Sequence, residues 1–128
     1  MRFLGIDYGT KRIGIALSDE AANFSFPHDV WANDKNFLQK ITDFIKEKSV
    51  GAIVIGESLD FKQQNNPIME DISALKERIE KEMKLPVHLE PEFFTSAEAR
   101  RLQGKHEKTD ASAAAIILQS YLDKKKSV

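Results

Sequence analysis

Short apolar runs alternate along this chain with longer stretches in which apolar residues recur at helical spacing. The first pattern predicts strands and the second predicts helices. The opening runs "RFLGID" and "RIGIALS" are joined by the turn Tyr8–Lys11, which predicts a hairpin. The run "AIVIG" is wholly apolar, as is typical of a strand covered on both faces. The five predicted strands are Arg2–Asp7, Arg12–Ser18, Pro27–Ala32, Ala52–Gly56 and Pro86–Glu90.

Four segments have the spacing of helices. They are Phe37–Ile45, Pro67–Met83 with Asn66 as its N-cap, Thr95–Gly104 and Thr109–Asp123. Asn33, Asp34 or Asn36 is available to cap the first of them. The last is apolar around most of its circumference, so we expect it to be buried against a sheet. After it we expect the tail Lys124–Val128 to be frayed and solvated.

The element order is therefore βββ-α-β-α-β-α-α, without repeats or linkers, and we expect one domain over residues 1–128. Three antiparallel strands followed by two crossover units predict an α/β protein with a mixed sheet flanked by helices. This layout is similar to the RNase H-like fold, which implies a central five-stranded sheet in the order 3-2-1-4-5.

Composition and charge exclude several classes of protein. Nineteen basic and twenty acidic residues give a formal net charge of -1, so a nucleic-acid partner would have to be held by a local basic patch. The chain has no cysteine, which excludes disulfides and thiolate metal sites. We find no signal peptide and no apolar stretch of membrane-spanning length. We therefore expect a cytoplasmic protein.

Acidic residues lie where the predicted strands end. Asp7 ends the first strand, Glu57 follows the fourth, and Glu90 and Glu92 lie at the end of the fifth. In a sheet of this kind, sites form beyond the carboxyl ends of parallel strands. Asp110 would join them from the first turn of the last helix, where the helix dipole favours a carboxylate.

Such a cluster of like charges needs a counter-ion. Mg²⁺, or Mn²⁺ in its place, binds carboxylate oxygens, and two such ions assist phosphodiester cleavage. We therefore expect a metal-dependent phosphodiesterase in which Glu92 points into the site and Glu90 away from it. Gly9 and Thr10, in the first turn, would let a phosphate approach the backbone.

Each of these residues also has a simpler interpretation. Asp7 has the position of a turn former or cap, and Glu57 that of a solvated residue in a polar loop. The basic residues either form a phosphate-binding patch or are solvated charges; they are Lys11, Arg12, Arg100, Arg101, Lys105 and Lys108. His28, His88 and His106 lack metal-ligand spacing, which favours packing or surface roles.

Three motifs carry a family resemblance. "GIDYGTKRIGIALSD", "FFTSAEARRL" and "TDASAAAIILQSYLD" resemble the YqgF-like family over nearly the whole chain. Its members are described as candidate pre-16S rRNA nucleases and formerly as Holliday-junction resolvases. The family is similar to RuvC-type resolvases in fold, and its members are cytoplasmic proteins linked to ribosome biogenesis.

The resemblance implies that Asp7, Glu92 and Asp110 hold metal and catalyse, with Glu57 as an additional ligand, while Thr10, Lys11 and Arg12 contact phosphate. The chain departs from the family at two places. The Asp-Glu-Arg triplet is replaced by Pro91-Glu92-Phe93, and Gly-Leu-Pro after the fourth strand is replaced by Gly56-Glu57-Ser58. These changes bear on phosphate binding and on substrate choice more than on fold.

The leading hypothesis is a hydrolase of ester bonds, a Mg²⁺-dependent endonuclease that processes the 5′ end of pre-16S rRNA, alone or on ribosomal particles. A Holliday-junction resolvase, which cleaves branched DNA, would use the same residues. A catalytically silent RNA- or ribosome-binding module is a further alternative. An ATPase is disfavoured, because there is no Walker-type loop. The hypotheses leave a monomer and a homodimer open.

Overall fold

The computed structural model describes residues 1–57, 68–91 and 109–126, without the side chains of Thr109, Asp110 and Lys126. Its strands are β1 (Arg2–Tyr8), β2 (Arg12–Ser18), β3 (Ser25–Ala32), β4 (Val50–Glu57) and β5 (Val87–Pro91). Its helices are α1 (Phe37–Glu47), α2 (Ile68–Met83) and α3 (Thr109–Lys126). The helix predicted at Thr95–Gly104 lies outside the described residues.

The strands form one sheet in the order β3-β2-β1-β4-β5. β1 pairs antiparallel with β2, and β2 with β3, while β1 pairs parallel with β4, and β4 with β5. This confirms the predicted strand order and the mixed character of the sheet. The carboxyl ends of β1, β4 and β5 consequently lie at one edge, which we call the carboxyl edge.

Both faces of the sheet are covered, and strand alternation decides which side chain goes to which face. Leu4 and Ile6 of β1 belong to the apolar cluster beneath α1 and α2. Phe3 belongs to the cluster beneath α3, together with Leu118 and Leu122 of that helix. The prediction that the last helix is buried against the sheet is therefore confirmed.

Several boundaries differ from the prediction. α3 continues to Lys126, so its last turn includes residues that we expected in a frayed tail. Lys124 and Lys125 are not simply solvated, because they lie against Glu90 and the Phe3 ring respectively. At the start of α1, the N-cap Asn36 makes no side-chain cap hydrogen bond. The Asp34 side chain instead accepts a hydrogen bond from the Asn36 N–H, at 2.9 Å.

No helix in the described part of the chain combines the length and the apolar character needed to cross a membrane.

Candidate active site

Asp7 is half-buried at the carboxyl edge of the sheet. Its neighbours along β1 place it on a face. Ile6 belongs to the cluster beneath α1 and α2, and Tyr8 packs against that cluster. Side chains alternate along a strand, so Asp7 lies on the other face, which α3 covers.

The residues beside Asp7 on this face are glycines. Gly14 of β2 is its direct partner in the sheet, and Gly56 of β4 follows Ile55, the partner of Ile6. Glycine in a strand weakens the strand and is typical of a place where a ligand approaches closely. Neither glycine has a side chain of its own to place beside the Asp7 carboxylate.

The direction of α3 brings its beginning toward the same edge. Leu118 lies over Gly5, where an added Cβ would be 2.8 Å from the Leu118 Cβ. One turn later, the Tyr121 ring lies 5.9 Å from the ring of Phe3. Later residues of α3 thus cover earlier residues of β1, so the two elements run antiparallel. The first turn of α3, which contains the backbone of Asp110, therefore lies toward the Asp7 end of β1.

Glu57 ends β4 on the other side of the sheet. Ile53 and Ile55 belong to the cluster beneath α1 and α2, and alternation places Glu57 with them. The plane of the sheet therefore separates Glu57 from Asp7. Glu92 follows the last residue of β5 and lies outside the described residues, as do Arg100, Arg101, Lys105 and Lys108.

We expected Glu90 to point away from the site. In the structure it lies on the same face of the sheet as Asp7. It pairs with Gly56 in the sheet, and its carboxylate faces α3. The Glu90 side chain is 4% exposed, accepts a hydrogen bond from Ser120 at 2.9 Å and forms an ion pair with Lys124 at 2.6 Å. A buried carboxylate needs partners of this kind. Glu90 thus attaches the end of α3 to β5.

Beside this ion pair, Tyr121 and His88 stack with ring centroids 5.0 Å apart. Burial, and secondarily the negative charge of Glu90, raise the pKa of Tyr121 above its ordinary value. His28 packs on Phe44, with centroids 4.8 Å apart. The packing roles expected for His28 and His88 are therefore confirmed, while His106 lies outside the described residues.

The turn between β1 and β2 is held in one conformation. A Cβ on Gly9 would collide with the carbonyl oxygen of Arg12. Asn33, just after β3, donates from Nδ2 to the Gly9 carbonyl at 2.8 Å and from its backbone N–H to the Lys11 carbonyl at 2.9 Å. Thr10 and Lys11 are exposed on this turn. A fixed turn with exposed donors is suited to contacting a phosphate group.

The sequence predicts Asp7 and the turn as candidate site residues, but it does not single out the residues that lie against them in the structure. The strand glycines Gly14 and Gly56 were available as a signal of close approach. Asn33 was considered only as a helix cap, because nothing in the sequence indicates its contact with a turn 24 positions earlier. Among the residues whose side chains are described, no group of three or more acids and histidines could hold a metal ion.

Comparison with known proteins gives the family of this chain. A family model described as "RuvX: Holliday junction resolvase" matches residues 1–124. A Dictyoglomus turgidum protein named "Putative pre-16S rRNA nuclease" is 36% identical, over 96% of this chain and 94% of its own length. A Lawsonia intracellularis protein of the same name is 33% identical, over 99% and 96% respectively.

Solved structures give the fold. RuvC of T. thermophilus in complex with a Holliday junction substrate superposes with a TM-score of 0.66 at 16% identity, covering 98% of this chain and 96% of that one. The Fowlpox virus resolvase in complex with Holliday junction DNA has a TM-score of 0.63 at 14% identity, covering 97% and 98%. The RNase H-like fold is therefore confirmed. With a family model that matches 1–124 and relatives above 30% identity over nearly its full length, the chain belongs to the RuvX family of resolvase-like nucleases.

Proposed function

We propose that this chain is a Mg²⁺-dependent endonuclease that cleaves structured nucleic acid, and that its substrate is the 5′ end of the 16S rRNA precursor. The position of Asp7 carries the proposal. Its carboxylate lies between two glycines at the carboxyl edge. It is on the face of the sheet that α3 covers, and the first turn of α3 lies toward it. The names of the relatives support pre-16S rRNA as the substrate. We place the reaction in the cytoplasm, on free precursor or on ribosomal particles.

The donor set suits a hard cation. Asp7, Glu92 and Asp110 would supply the carboxylate oxygens that Mg²⁺ or Mn²⁺ prefers. When bound, the metal would stabilise the attacking and leaving oxygens of an in-line displacement at phosphorus. We leave Glu57 out of this set, because the sheet separates it from Asp7.

The chain itself positions the substrate. β1 holds Asp7 on a rigid strand, so the carboxylate needs little reordering to receive a ligand. Thr10, Lys11 and Arg12 would donate to phosphate from a turn that Asn33 fixes. Further basic residues would extend this contact along the nucleic-acid strand; they are Arg100, Arg101, Lys105 and Lys108. Binding through phosphates makes affinity fall steeply with salt.

The test compares two acids of the same edge. We expect Asp7→Asn to lower the cleavage rate of a pre-16S leader RNA at least about 100-fold and to weaken Mn²⁺ binding, because a ligand is lost. Glu57→Gln is the matched control and should stay within about threefold of the wild type. End-labelled RNA gives the rate and calorimetry gives Mn²⁺ affinity. Unchanged cleavage in Asp7→Asn would refute the metal site.

A DNA junction resolvase is the second candidate, favoured by the description of the family model. The same variants are therefore assayed on a four-way DNA junction. Preference for the junction over the RNA leader would replace the proposed substrate and keep the site. If the wild type binds RNA but no Mn²⁺ and cleaves neither substrate, the chain is a binding module.

A further inference from the structure

A cleft opens at the carboxyl edge on the face opposite Asp7. Its volume is about 280 Å³, and it lies between the loop after β3, the start of α1 and one side of α2. Tyr8 and Phe37 contribute aromatic rings to it, with centroids 6.4 Å apart in an edge-to-face arrangement. We call it the Tyr8 cleft. Among its lining residues, Asn33 also takes part in the site proposed above, because it holds the Gly9–Arg12 turn.

The Tyr8 cleft is connected to the turn that we propose contacts phosphate. Asn33 lines the cleft and also donates to the carbonyl groups of Gly9 and Lys11. Tyr8 directly follows Asp7 in β1, and the two side chains point to opposite faces. When a nucleic-acid strand crosses the carboxyl edge, the phosphates of the strand therefore pass Asp7. A neighbouring base then reaches the Tyr8 cleft.

The lining is suited to a single base. Aromatic and apolar side chains, here Tyr8, Phe37 and Leu75, receive extruded bases in enzymes that act on nucleic acid. The volume is enough for one base and lies just below the range of about 300–1,000 Å³ typical of drug-sized ligands. We take the base to be unpaired, because a lining of this kind receives a base that has left its stack.

Charged groups at the Tyr8 cleft add a preference for bases that carry an exocyclic amine. The lining carries the carboxylates of Asp34 and Asp71 together with Lys35 and Arg78, and Arg78 already pairs with Glu82 of the same helix. Asp34 already accepts a hydrogen bond from the backbone N–H of Asn36. Asp71 lies in the first turn of α2 and presents a carboxylate that can accept from the exocyclic amine of a base. Uracil has no such amine.

We infer that the Tyr8 cleft binds one unpaired, amino-bearing base of the substrate, next to the phosphate held at the Gly9–Arg12 turn. The inference rests on the proposed function for the identity of the ligand as nucleic acid. It adds a base-recognition site on the opposite face of the sheet from the metal-binding acids. Binding of this unpaired nucleotide would thereby determine the position at which the enzyme cleaves.

The test fills the cleft without removing a functional group. Ala74 lines the cleft from α2, whereas its exposed neighbour Ser73 does not. Ala74→Trp and the matched control Ser73→Trp are compared for binding of single-stranded RNA octamers that carry 2-aminopurine at one position. Binding is followed by fluorescence in a buffer without divalent ions, so it is independent of cleavage. Circular dichroism melting establishes that both variants are folded.

We expect one 2-aminopurine position to be quenched by the wild type and by Ser73→Trp. Ala74→Trp should lose the quenching and bind about tenfold more weakly. Uridine at that position should weaken binding about tenfold relative to cytidine, because one charged hydrogen bond is lost. Equal quenching in the two tryptophan variants would overturn the inference, and equal binding of uridine and cytidine would overturn the role of Asp71.

The outcome is separable from that of the proposed function. Position-specific quenching that Ala74→Trp abolishes, in a wild type that cleaves neither RNA nor DNA, supports the cleft and refutes the nuclease. Cleavage that depends on Asp7 while Ala74→Trp binds and quenches like Ser73→Trp supports the nuclease and refutes the cleft.

Discussion

At Gly5, α3 comes so close to β1 that the position has no room for a side chain. An added Cβ would lie 2.8 Å from the Leu118 Cβ and 2.9 Å from the Ala114 carbonyl oxygen. We expect Gly5→Ala to lower the free energy of unfolding by about 1–3 kcal/mol, because the helix must move away from a close-packed interface. Urea denaturation followed by circular dichroism measures this.

Gly51→Ala provides the matched control for this substitution. Its added Cβ would meet the side chain of Met1, which is 61% exposed and flexible. Because Met1 can rotate away, the stability should change by no more than about 0.5 kcal/mol. Equal losses in the two alanine variants would contradict the close approach of α3 at Gly5.

The residues of the candidate site differ in how far the sequence predicts them. Asp7 is predicted because a carboxylate that ends an apolar run is conspicuous, and its role as a metal ligand stays a prediction. Glu90 was misplaced, because its orientation depends on Ser120 and Lys124, which lie 30 and 34 positions later in the chain. Local patterns carry no information about such contacts. Glu92, Asp110 and the basic residues of the predicted patch stay predictions.

At the scale of elements, the final helix is attached to the sheet at two places by different means. Close packing on Gly5 fixes its middle, and the buried pair of Glu90 and Lys124 fixes its end. We expect Lys124→Met to lower the free energy of unfolding by about 1–2 kcal/mol, because a buried acceptor loses a donor while Ser120 keeps its hydrogen bond. The double variant with Glu90→Gln measures the coupling.

Lys81→Met is the control for the loss of a lysine, since Lys81 is exposed on α2. It should leave the stability within about 0.5 kcal/mol of the wild type. Additive effects of Lys124→Met and Glu90→Gln would mean that the ion pair does not hold the helix end.

The elements themselves were predictable, because their apolar periodicity is strong and their connections are short. The strand order follows from two antiparallel hairpins and two parallel crossovers. Boundaries were less well predicted. β3 begins at Ser25 and not at Pro27, since Ser25 is held by α3 through its N–H to Gln119 and its hydroxyl to the Ala115 carbonyl. These bonds join residues 94 and 90 positions apart.

The edge strand β3 has several backbone positions at which no N–H is free to pair with a further strand. The N–H of Ser25 is bound by Gln119, that of Val30 by the side chain of Asp29 at 2.7 Å, and Pro27 has no N–H to donate. Phe24, just before β3, and Phe26, within it, are exposed, at 62% and 56%. An apolar edge strand is a template for pairing with another chain unless its donors are blocked. Here at least three positions are blocked.

At the scale of the whole molecule, the sheet register divides the chemistry between two faces. One residue step along β1, from Asp7 to Tyr8, separates the proposed metal site from the Tyr8 cleft. The sequence predicts the acids at one edge, which parallel strands bring together, but it gives Glu57 no face and wrongly turns Glu90 away from the site. Assigning the faces needs the register of β4 against β1 and β5, including the irregularity between Arg2 and Phe3.

The stability of the molecule should depend on pH through Tyr121. Burial and the charge of Glu90 raise its pKa above the ordinary value of 10.0, so the folded protein holds the hydroxyl proton more tightly than the unfolded chain. The free energy of unfolding therefore falls as the pH rises above 10.0, whereas below that pH the contribution is complete. Urea midpoints between pH 8 and 11 should fall more for the wild type than for Tyr121→Phe, which cannot ionise. The urea midpoint of Glu90→Gln should fall less than that of the wild type over this pH range. The substitution removes the charge but keeps a side chain that can form a hydrogen bond with Ser120. Parallel curves for the wild type and Tyr121→Phe would show that α3 does not bury this hydroxyl against Glu90.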